Sequence, residues 1–189
     1  RSVRENERAL TRTVFGIECT GIRIDADYCR RSIQSLEERK TAAASGFKQK
    51  TGRDFKDSCI NLSKVFGDTG EPVGITKKGN PSFSSEYLVN FSHPAAKDVL
   101  EHRNVTSIAN FLNGFLYHMD KDNLVHSSFA SYGTATGRMS SRNPNFQNLE
   151  KESEEDIQIK EAIIPRDDFC LVALDYQAQE YRLMADYAQ

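Results

Sequence analysis

Apolar residues recur at helical spacing along three segments of the first 120 residues, and short polar stretches separate these segments. The first segment runs from about Ser2 to Cys19, and Gly21 just beyond it is a typical helix stop. One face of this segment carries the apolar residues Leu10, Val14 and Ile17. The spacing predicts an amphipathic helix at the start of the chain.

Two longer helices follow in the same pattern. The segment GIRID (21–25) indicates a short extended stretch, and Asp25 is a good N-cap for a second helix that ends at a glycine turn near residue 52. A third helix is predicted from Pro94 to Asp120, because proline is favoured in a first helical turn. Apolar or small residues line one side of each helix: Cys29, Ile33, Leu36, Ala43 and Phe47 in the second, and Ala96, Val99, Ile108, Leu112, Phe115 and Met119 in the third. Two such helices, joined by a compact tip, are expected to pack as an antiparallel pair.

The tip between these helices has a different composition. Residues 52–92 carry Gly, Pro, Ser and Asn at short intervals, which favours turns. We expect a loop-rich tip with two short helical pieces, near 59–66 and 84–91, and without a hydrophobic core of its own.

The period of the pattern changes after Asp120. The segment LVHSSFASY (124–132) alternates well enough for a strand, and FCLVAL (169–174) is a short apolar run typical of a buried strand. The second strand would end at Asp175, and QAQEYRLMADYA after it has a helical pattern. The chain is therefore predicted to have an α+β fold, in which long antiparallel helices precede short strands and a last helix.

Composition argues against several classes of protein. The four cysteines are far apart and form no CxxC pair, so they indicate neither a zinc site nor a disulfide framework and fit a reducing cytosol. The apolar runs are far shorter than a membrane span, and the basic, polar start of the chain does not resemble a signal peptide. We therefore expect a cytoplasmic protein without a membrane partner.

The net charge of −2 conceals a segregation of charge along the chain. Residues 1–80 carry 16 basic and 11 acidic side chains, residues 81–147 carry five of each, and residues 148–189 carry four and 11. The predicted second helix has a basic face: Arg30, Arg31, Arg39, Lys40, Lys48 and Lys50. This distribution is compatible with a protein that holds a polyanion at one surface and a metal at another, and also with ordinary solvated helix faces.

No carboxylate occurs from Asn123 to Leu149, a stretch that contains the segment TATGRMSSRNPNFQN (134–148). Two arginines stand there among neutral donors and acceptors: Arg138 and Arg142 with Thr134, Thr136, Ser140, Ser141, Asn143, Asn145, Gln147 and Asn148. An arginine can fork onto a pair of acceptors, and amides both donate and accept, as contacts to the minor-groove edges of bases require. The segment indicates a nucleic-acid surface, although composition alone favours a polar surface loop with turn residues.

Asp175 is a candidate metal ligand, because α/β sites commonly place carboxylates at the ends of buried strands. Glu180 would fall in the first turn of the last predicted helix. The alternative role for Asp175 is a plain helix N-cap. One carboxylate does not hold Mg²⁺ firmly, so substrate phosphates, waters and a second acid elsewhere would have to complete a site.

Two of these segments resemble motifs of a known family. TATGRMSSRNPNFQN is similar to the T-x-TGR-x-SS-x-x-PN-x-QN motif of family A DNA polymerases, the bacterial polymerase I and phage type. DYQAQEYRLMA (175–185) resembles motif A of that family, usually DYSQIELR followed by an apolar residue and Met-Ala. Weaker similarities to the family's thumb occur in the same order, in GIRID, TKKGNPSFSSEYL (76–88) and VLEHR (99–103). The resemblance implies a hand-shaped fold, with residues 1–120 as the helical lead-in and thumb and 121–189 as the first part of the palm.

The resemblance also implies roles for individual residues. Asp175, helped by the Tyr176 carbonyl, would bind Mg²⁺, and two Mg²⁺ ions would activate the primer 3'-hydroxyl and stabilise the pyrophosphate leaving group. Glu180 would exclude the 2'-hydroxyl of a ribonucleotide, and the same nucleotide site would include Tyr176, Gln177 and Gln179. Arg138 would contact the minor groove at the primer terminus, and other residues of the segment would contact the duplex: Thr136, Ser140, Asn145 and Gln147.

The chain departs from the family pattern at three points. Gln177, Ala178 and Gln179 replace Ser, Gln and Ile, a change that bears on nucleotide selection, and Glu150 replaces the Pro that commonly follows QN. Residues 1–189 contain no fingers helix with its nucleotide-holding Arg, Lys and Tyr. They also lack the HDE-type motif with the second catalytic aspartate, and no exonuclease-like DxE motif precedes the thumb.

The sequence therefore predicts a DNA-directed DNA polymerase that adds dNTPs to the 3'-hydroxyl of a primer paired with template DNA. This chain would supply part of the polymerase domain and be inactive alone. The missing parts would belong to a longer chain or to a second polypeptide. The alternative is a non-catalytic module that binds duplex DNA, in which Asp175 caps a helix. The expected location is a bacterial or phage-infected cytosol.

Overall fold

The computed structural model describes residues 3–67, 74–76, 79–131, 133–134, 136–149 and 157–188. The chain begins with helix α1 (Val3–Thr20), as predicted, and continues into strand β1 (Ile22–Arg23). Val14 is buried, but Ile17 of the predicted apolar stripe is exposed, because among the described elements α1 packs mainly against one short strand (Ser128–Ala130). No helix in the described part of the chain is long and apolar enough to cross a membrane.

Helix α2 (Ala26–Thr51) has the boundaries that the sequence predicts. At its start, the Asp25 carboxylate accepts a hydrogen bond from the Tyr28 amide at 2.8 Å. At its end, Gly52 adopts a left-handed conformation with φ of 67°, and its amide donates to the Lys48 carbonyl at 2.8 Å. Glycine takes this conformation without the steric strain of a side chain, so the helix ends there.

The tip consists of α3 (Cys59–Phe66), a hairpin of β2 (Gly74–Ile75) and β3 (Pro81–Ser82), and α4 (Ser85–Leu88). The helix at 59–66 is confirmed, and the piece predicted near 84–91 is helical only over Ser85–Leu88. The expectation that the tip lacks a core is wrong. A hydrophobic cluster fills it: Phe47, Leu62, Phe66, Phe83, Leu88, Ala95, Ala96 and Val99. The turn-rich sequence conceals this cluster because each short element contributes only one or two large apolar side chains.

Helix α5 (Ala95–His118) packs along α2 as the predicted antiparallel partner. An ion pair of 2.7 Å joins Lys50 near the end of α2 to Asp98 in the first turn of α5. The main hydrophobic core lies between the two helices and the segments that follow them: Ile24, Cys29, Leu36, Val105, Ile108, Ala109, Leu112, Phe115, Val125, Ile159 and Ala162.

The segment predicted as one strand over 124–132 forms two strands in different sheets. Strand β4 (Leu124–Val125) pairs antiparallel with β1, and β5 (Ser128–Ala130) pairs antiparallel with β6 (Ser140–Arg142). His126 and Ser127 lie between these strands and bond elsewhere. The His126 Nδ1 lies 2.7 Å from the Glu18 carbonyl, and Ser127 bonds to the end of β6 and to the chain just after it. Tyr132, the predicted end of the strand, lies outside the described residues.

The second predicted strand is wrong, because residues 169–174 have no regular structure. Their apolar side chains are exposed, and Leu174 exposes 91% of its surface. A strand needs a partner for its backbone hydrogen bonds, and among the described residues no strand pairs with this segment. The last helix, α6 (Gln179–Tyr187), is confirmed and begins two residues after the start of its predicted pattern. The α+β class is also confirmed, with long antiparallel helices and small antiparallel sheets.

Candidate nucleic-acid interface

Residues 133–138, which we call the TGR loop, lead into β6; Ala135 lies outside the described residues. The Thr134 hydroxyl donates to the Arg138 carbonyl at 2.9 Å, and the Gly137 amide donates to the Thr134 carbonyl at 3.2 Å. Gly137 has a positive φ of 75°, which glycine adopts at no steric cost. The hydroxyls of Thr134 and Thr136 lie 3.2 Å apart. These contacts close a turn from which the Arg138 side chain extends into solvent, with 74% of its surface exposed.

The structure brings Arg138 into direct contact with Glu180, although 42 residues separate them in sequence. The Arg138 Nη2 donates to the Glu180 Oε1 at 2.7 Å. Glu180 lies in the first turn of α6, as predicted, and 78% of its side chain is exposed. Arg138 from one sequence motif and Glu180 from the other therefore lie next to each other on one surface.

The residues after β6 are held against the core. Asn145 Oδ1 accepts a hydrogen bond from the Ser141 hydroxyl at 2.9 Å and one from the Gln147 amide at 3.1 Å, so Asn145 caps the single turn Phe146–Asn148. The Phe146 ring stacks on the Phe115 ring of α5. Asn145 and Gln147, two of the predicted DNA contacts, thus stand on a short, fixed turn and not on a free loop.

Two residues that the sequence reasoning missed shape this surface. Ser127 is buried, and the single proton of its hydroxyl is shared between the backbone carbonyls of Arg142 and Pro144, at 3.1 and 2.7 Å. Gly133 leaves no room for a side chain, since an added Cβ would lie 1.8 Å from the Ser140 Oγ. Ser140, a predicted DNA contact, is therefore partly buried against the TGR loop. The only sequence signal for Ser127 was a polar residue within an otherwise alternating strand pattern.

The predicted metal and nucleotide residues lie between the exposed segment 169–174 and the first turn of α6. Asp175, Tyr176, Gln177 and Gln179 are all exposed. The residue that precedes α6 is Ala178, with a φ of 52° and no side-chain cap, so Asp175 is not the N-cap of this helix. The interpretation of Asp175 as a helix N-cap, which formed part of the alternative of a non-catalytic module, is therefore wrong.

The oxygen ligands at this position suit a hard cation such as Mg²⁺, but they do not form a complete metal site. The Asp175 carboxylate and the Tyr176 carbonyl are oxygen ligands, the type that Mg²⁺ prefers. Within the described ranges, no group of three His, Cys, Asp or Glu side chains is arranged to hold a metal ion. These residues can therefore supply part of a coordination shell, and further oxygen ligands must come from other groups.

The basic face of α2 is largely neutralised by ion pairs within the chain. The pairs are Arg30 with Asp27, Arg39 with Glu101, Lys40 with Glu37, Lys48 with Asp54 and Lys50 with Asp98, at distances of 2.7 to 3.2 Å. The hydrogen bond and the charge of Lys48 lower the pKa of the Asp54 carboxyl. The structure thus favours the interpretation of solvated helix faces over that of an open polyanion surface on α2.

Comparisons with known proteins agree on one family. The model of DNA polymerase family A matches residues 26–189. The chain is 31% identical over 191 residues to DNA polymerase I of Helicobacter pylori (98% of this chain, 21% of that protein). It is 33% identical over 192 residues to the thermostable DNA polymerase I of Thermus aquaticus (96% of this chain, 23% of that protein). The chain thus spans about a fifth of the length of the curated relatives it matches.

A solved structure is similar in fold. It is the POL domain of Pol1 from M. smegmatis in complex with DNA primer-template and dNTP, with a TM-score of 0.78 and 25% sequence identity. The similarity covers 87% of this chain and 30% of that one. The described helices and small sheets therefore have the arrangement found in part of a larger domain.

Proposed function

The chain belongs to DNA polymerase family A, and on this premise we propose that it forms part of an enzyme that extends a DNA primer along a template. The contact between Arg138 and Glu180 carries the proposal, because it joins the TGR loop to the helix that follows Asp175. A primer terminus beside the loop and an incoming dNTP beside α6 would then be neighbours, as transfer of a nucleotide to the primer requires.

We assign the duplex contacts to the segment 134–148. The exposed Arg138 would donate to the minor-groove acceptors of the terminal base pair, and Asn145 and Gln147 would contact the base pairs behind it. Thr136 is exposed on the same loop and is assigned a neighbouring contact, whereas the contribution of the partly buried Ser140 would be to shape the loop. The lack of acids here suits a surface that approaches phosphates, since a carboxylate would repel them.

Asp175 and the Tyr176 carbonyl would hold one side of the catalytic metal site in the proposed enzyme. A bound pair of Mg²⁺ ions supplies charge stabilisation at the reacting phosphate and a more acidic primer hydroxyl. The exposed Asp175 carboxylate gives the negative charge, and dNTP phosphates and a second carboxylate would complete the ligands. Thumb (residues 1–120) and palm (121–189) are the proposed domains of this part.

Glu180 would select deoxynucleotides by occupying the space that a 2'-hydroxyl needs. Gln177 and Gln179 stand on either side of Ala178 at the start of α6, with Tyr176 just before them. Their amides would border the same nucleotide and could hydrogen-bond its sugar. In this chain Glu180 therefore has Gln177 and Gln179 as neighbours, where the family motif usually has Ser and Ile.

The proposed enzyme needs partners and further protein segments. Primer-template DNA and dNTP are the proposed substrates. The fingers and the rest of the palm would come from a longer chain or from a second polypeptide. The bacterial relatives make the cytoplasm the proposed location.

Primer extension by a complete polymerase that contains this chain tests the proposal. We expect template-dependent extension with dNTPs that requires Mg²⁺ and that is lost in Asp175→Asn, with DNA binding retained. DNA binding without any extension by the complete protein would contradict the proposal and restore the non-catalytic module.

A further inference from the structure

We propose that Arg138 determines the sugar selectivity of this site by holding the Glu180 carboxylate in place. Glu180, which would exclude the 2'-hydroxyl, is called the sugar gate here. Contact with a paired primer terminus and the position of the sugar gate would then depend on the same arginine. The inference rests on the proposed function, because Glu180 can act on a sugar only if a nucleotide binds beside α6. It adds a second role for Arg138, as a positioning residue that acts through Glu180.

The rest of the chain restrains the Glu180 side chain only weakly. Its side chain is 78% exposed, and among the described residues Arg138 is the partner with which it forms an ion pair. A glutamate has three rotatable side-chain bonds, so an exposed one samples many positions unless a partner restricts it. A side chain that excludes a hydroxyl by its bulk must stay in one place, and the 2.7 Å contact with Arg138 provides that restriction.

The charge of an incoming nucleotide also acts on the Glu180 carboxylate. An incoming nucleotide carries a triphosphate, and an unpaired carboxylate close to it is repelled. The guanidinium of Arg138 offsets this repulsion where it contacts Glu180. Without Arg138, the Glu180 side chain is expected to turn away from the nucleotide and leave space for a 2'-hydroxyl.

Arg138 has more hydrogen-bond donors than its contact with Glu180 uses. A guanidinium has five N–H groups, and the contact with Glu180 uses Nη2. The donors on Nε and Nη1 are left for the minor-groove acceptor of the terminal base, which is N3 of a purine or O2 of a pyrimidine. One arginine can therefore contact the primer terminus and Glu180 together, and a correctly placed acceptor would fix the guanidinium and, through it, the carboxylate.

Single-nucleotide extension by a complete polymerase that contains this chain tests the proposal, with dNTP and rNTP measured in parallel. The measured quantity is the ratio of kcat/KM for dNTP to kcat/KM for rNTP. Arg138→Ala should lower this ratio by about two- to five-fold, the range that follows from the strength of an exposed ion pair. Glu180→Ala should lower it further, and the double variant should equal Glu180→Ala, because the two residues act as a unit.

Arg142→Ala is the matched control. It removes an exposed arginine from the same segment, and among the described residues Arg142 forms no ion pair with Glu180. The ratio should therefore stay unchanged in this variant even if extension slows. An equal fall of the ratio in Arg142→Ala and Arg138→Ala would overturn the proposal, because the effect would then be one of general positive charge.

A second measurement leaves the protein unchanged. A primer that ends in a 3-deazapurine nucleotide lacks the minor-groove acceptor, and the wild-type polymerase should then discriminate less against rNTP, whereas Glu180→Ala should show no further change. If Arg138→Ala and this primer both slow extension but leave the ratio unchanged, the coupling is overturned and the proposed polymerase function stands. If Glu180→Ala also leaves the ratio unchanged, the gate assignment itself fails.

Discussion

The Phe146 ring lies almost parallel to the Phe115 ring, with centroids 5.3 Å apart and an interplanar angle of 20°. Phe115 is fully buried in α5, and Phe146 stands between Asn145 and Gln147. This stack therefore joins the core of the long helices to the residues proposed to contact DNA.

Phe146→Ala should lower both the stability of the chain and its hold on duplex DNA. Truncation of a buried phenylalanine costs about 3–5 kcal/mol, and Phe146 is only partly buried, so we expect a loss of roughly 2 kcal/mol in the free energy of unfolding. Urea unfolding measures this loss. Phe15→Ala on the exposed face of α1 is the control, and an equal loss in both variants would contradict the role of the stack.

Ser127→Ala should weaken DNA positioning without a change in any proposed contact residue. The substitution removes a buried donor from the carbonyls of Arg142 and Pro144, which costs about 1–3 kcal/mol. Ser127→Thr keeps the hydroxyl and should retain most of the function. Duplex affinity and primer extension are measured for both variants. A similar loss of activity in Ser127→Ala and Ser127→Thr would contradict the role of the hydrogen bonds and would point to packing.

Asp175→Asn in a complete polymerase should abolish extension and leave duplex binding nearly intact, because the lost charge would serve Mg²⁺ and not phosphate. Extension rates across a Mg²⁺ titration and Kd for primer-template DNA measure the two effects. Asp186→Asn, later in α6, is the control for a lost carboxylate in this region. Substantial extension by Asp175→Asn would remove Asp175 from the metal site.

Arg138→Ala should reduce primer extension more than DNA affinity, because one contact at the terminus positions the primer more than it holds the duplex. Binding should also fall steeply as salt rises from about 50 to about 200 mM, because phosphate contacts release counterions. Filter binding and extension assays on the same protein preparation measure both. Equal losses of affinity and extension in Arg138→Ala would contradict its assignment to the primer terminus. A DNA affinity that does not change with salt concentration would contradict the phosphate contacts.

The ion pair of Arg103 and Asp57 should make the stability of the tip depend on pH in the acidic range. Arg103 donates to both Asp57 oxygens at 2.6 and 2.8 Å, and this hydrogen bonding lowers the pKa of that carboxyl below its ordinary 3.8. Because the pKa of the folded state is depressed, the stabilisation is present above about pH 4 and is lost as the pH falls through the folded value.

Asp57→Asn should therefore lower the free energy of unfolding at pH 7 by roughly 1 kcal/mol, since the pair is partly exposed, and should weaken the dependence on pH below 4. Urea unfolding at pH 7 and at a pH below about 4 measures the effect. Glu37→Gln, which breaks an exposed pair with Lys40 within α2, should change stability less. An unaltered acid dependence in Asp57→Asn would contradict the assignment.

The sequence predicted those parts of the fold that depend on neighbouring residues. Asp25, Gly52 and Pro94 act within one or two turns of their own helices, so the boundaries of α2 and α5 followed from local chemistry. The helical character of α6 and the place of Glu180 in its first turn followed in the same way.

Features that depend on distant residues could not be predicted. FCLVAL has the composition of a buried strand, but composition does not say which strand pairs with it, and no described strand does. Ser127 and Gly133 matter only because the chain returns to them at residues 140–144. Likewise, each motif gave the chemistry of Arg138 or Glu180 alone, and neither gave the contact between them.

The exposed segment 169–174 also bears on how the molecule behaves in a concentrated solution. Phe169, Cys170, Leu171, Val172, Ala173 and Leu174 carry no charge and include no proline, and such six-residue runs readily form intermolecular β-sheets. Natural proteins block this association with a charged residue or a proline at an open edge, and neither interrupts the run here. Purified as residues 1–189, the chain is therefore expected to self-associate through this segment unless a further part of the polymerase covers it, and the exposed Cys170 within it would add disulfide cross-links in air.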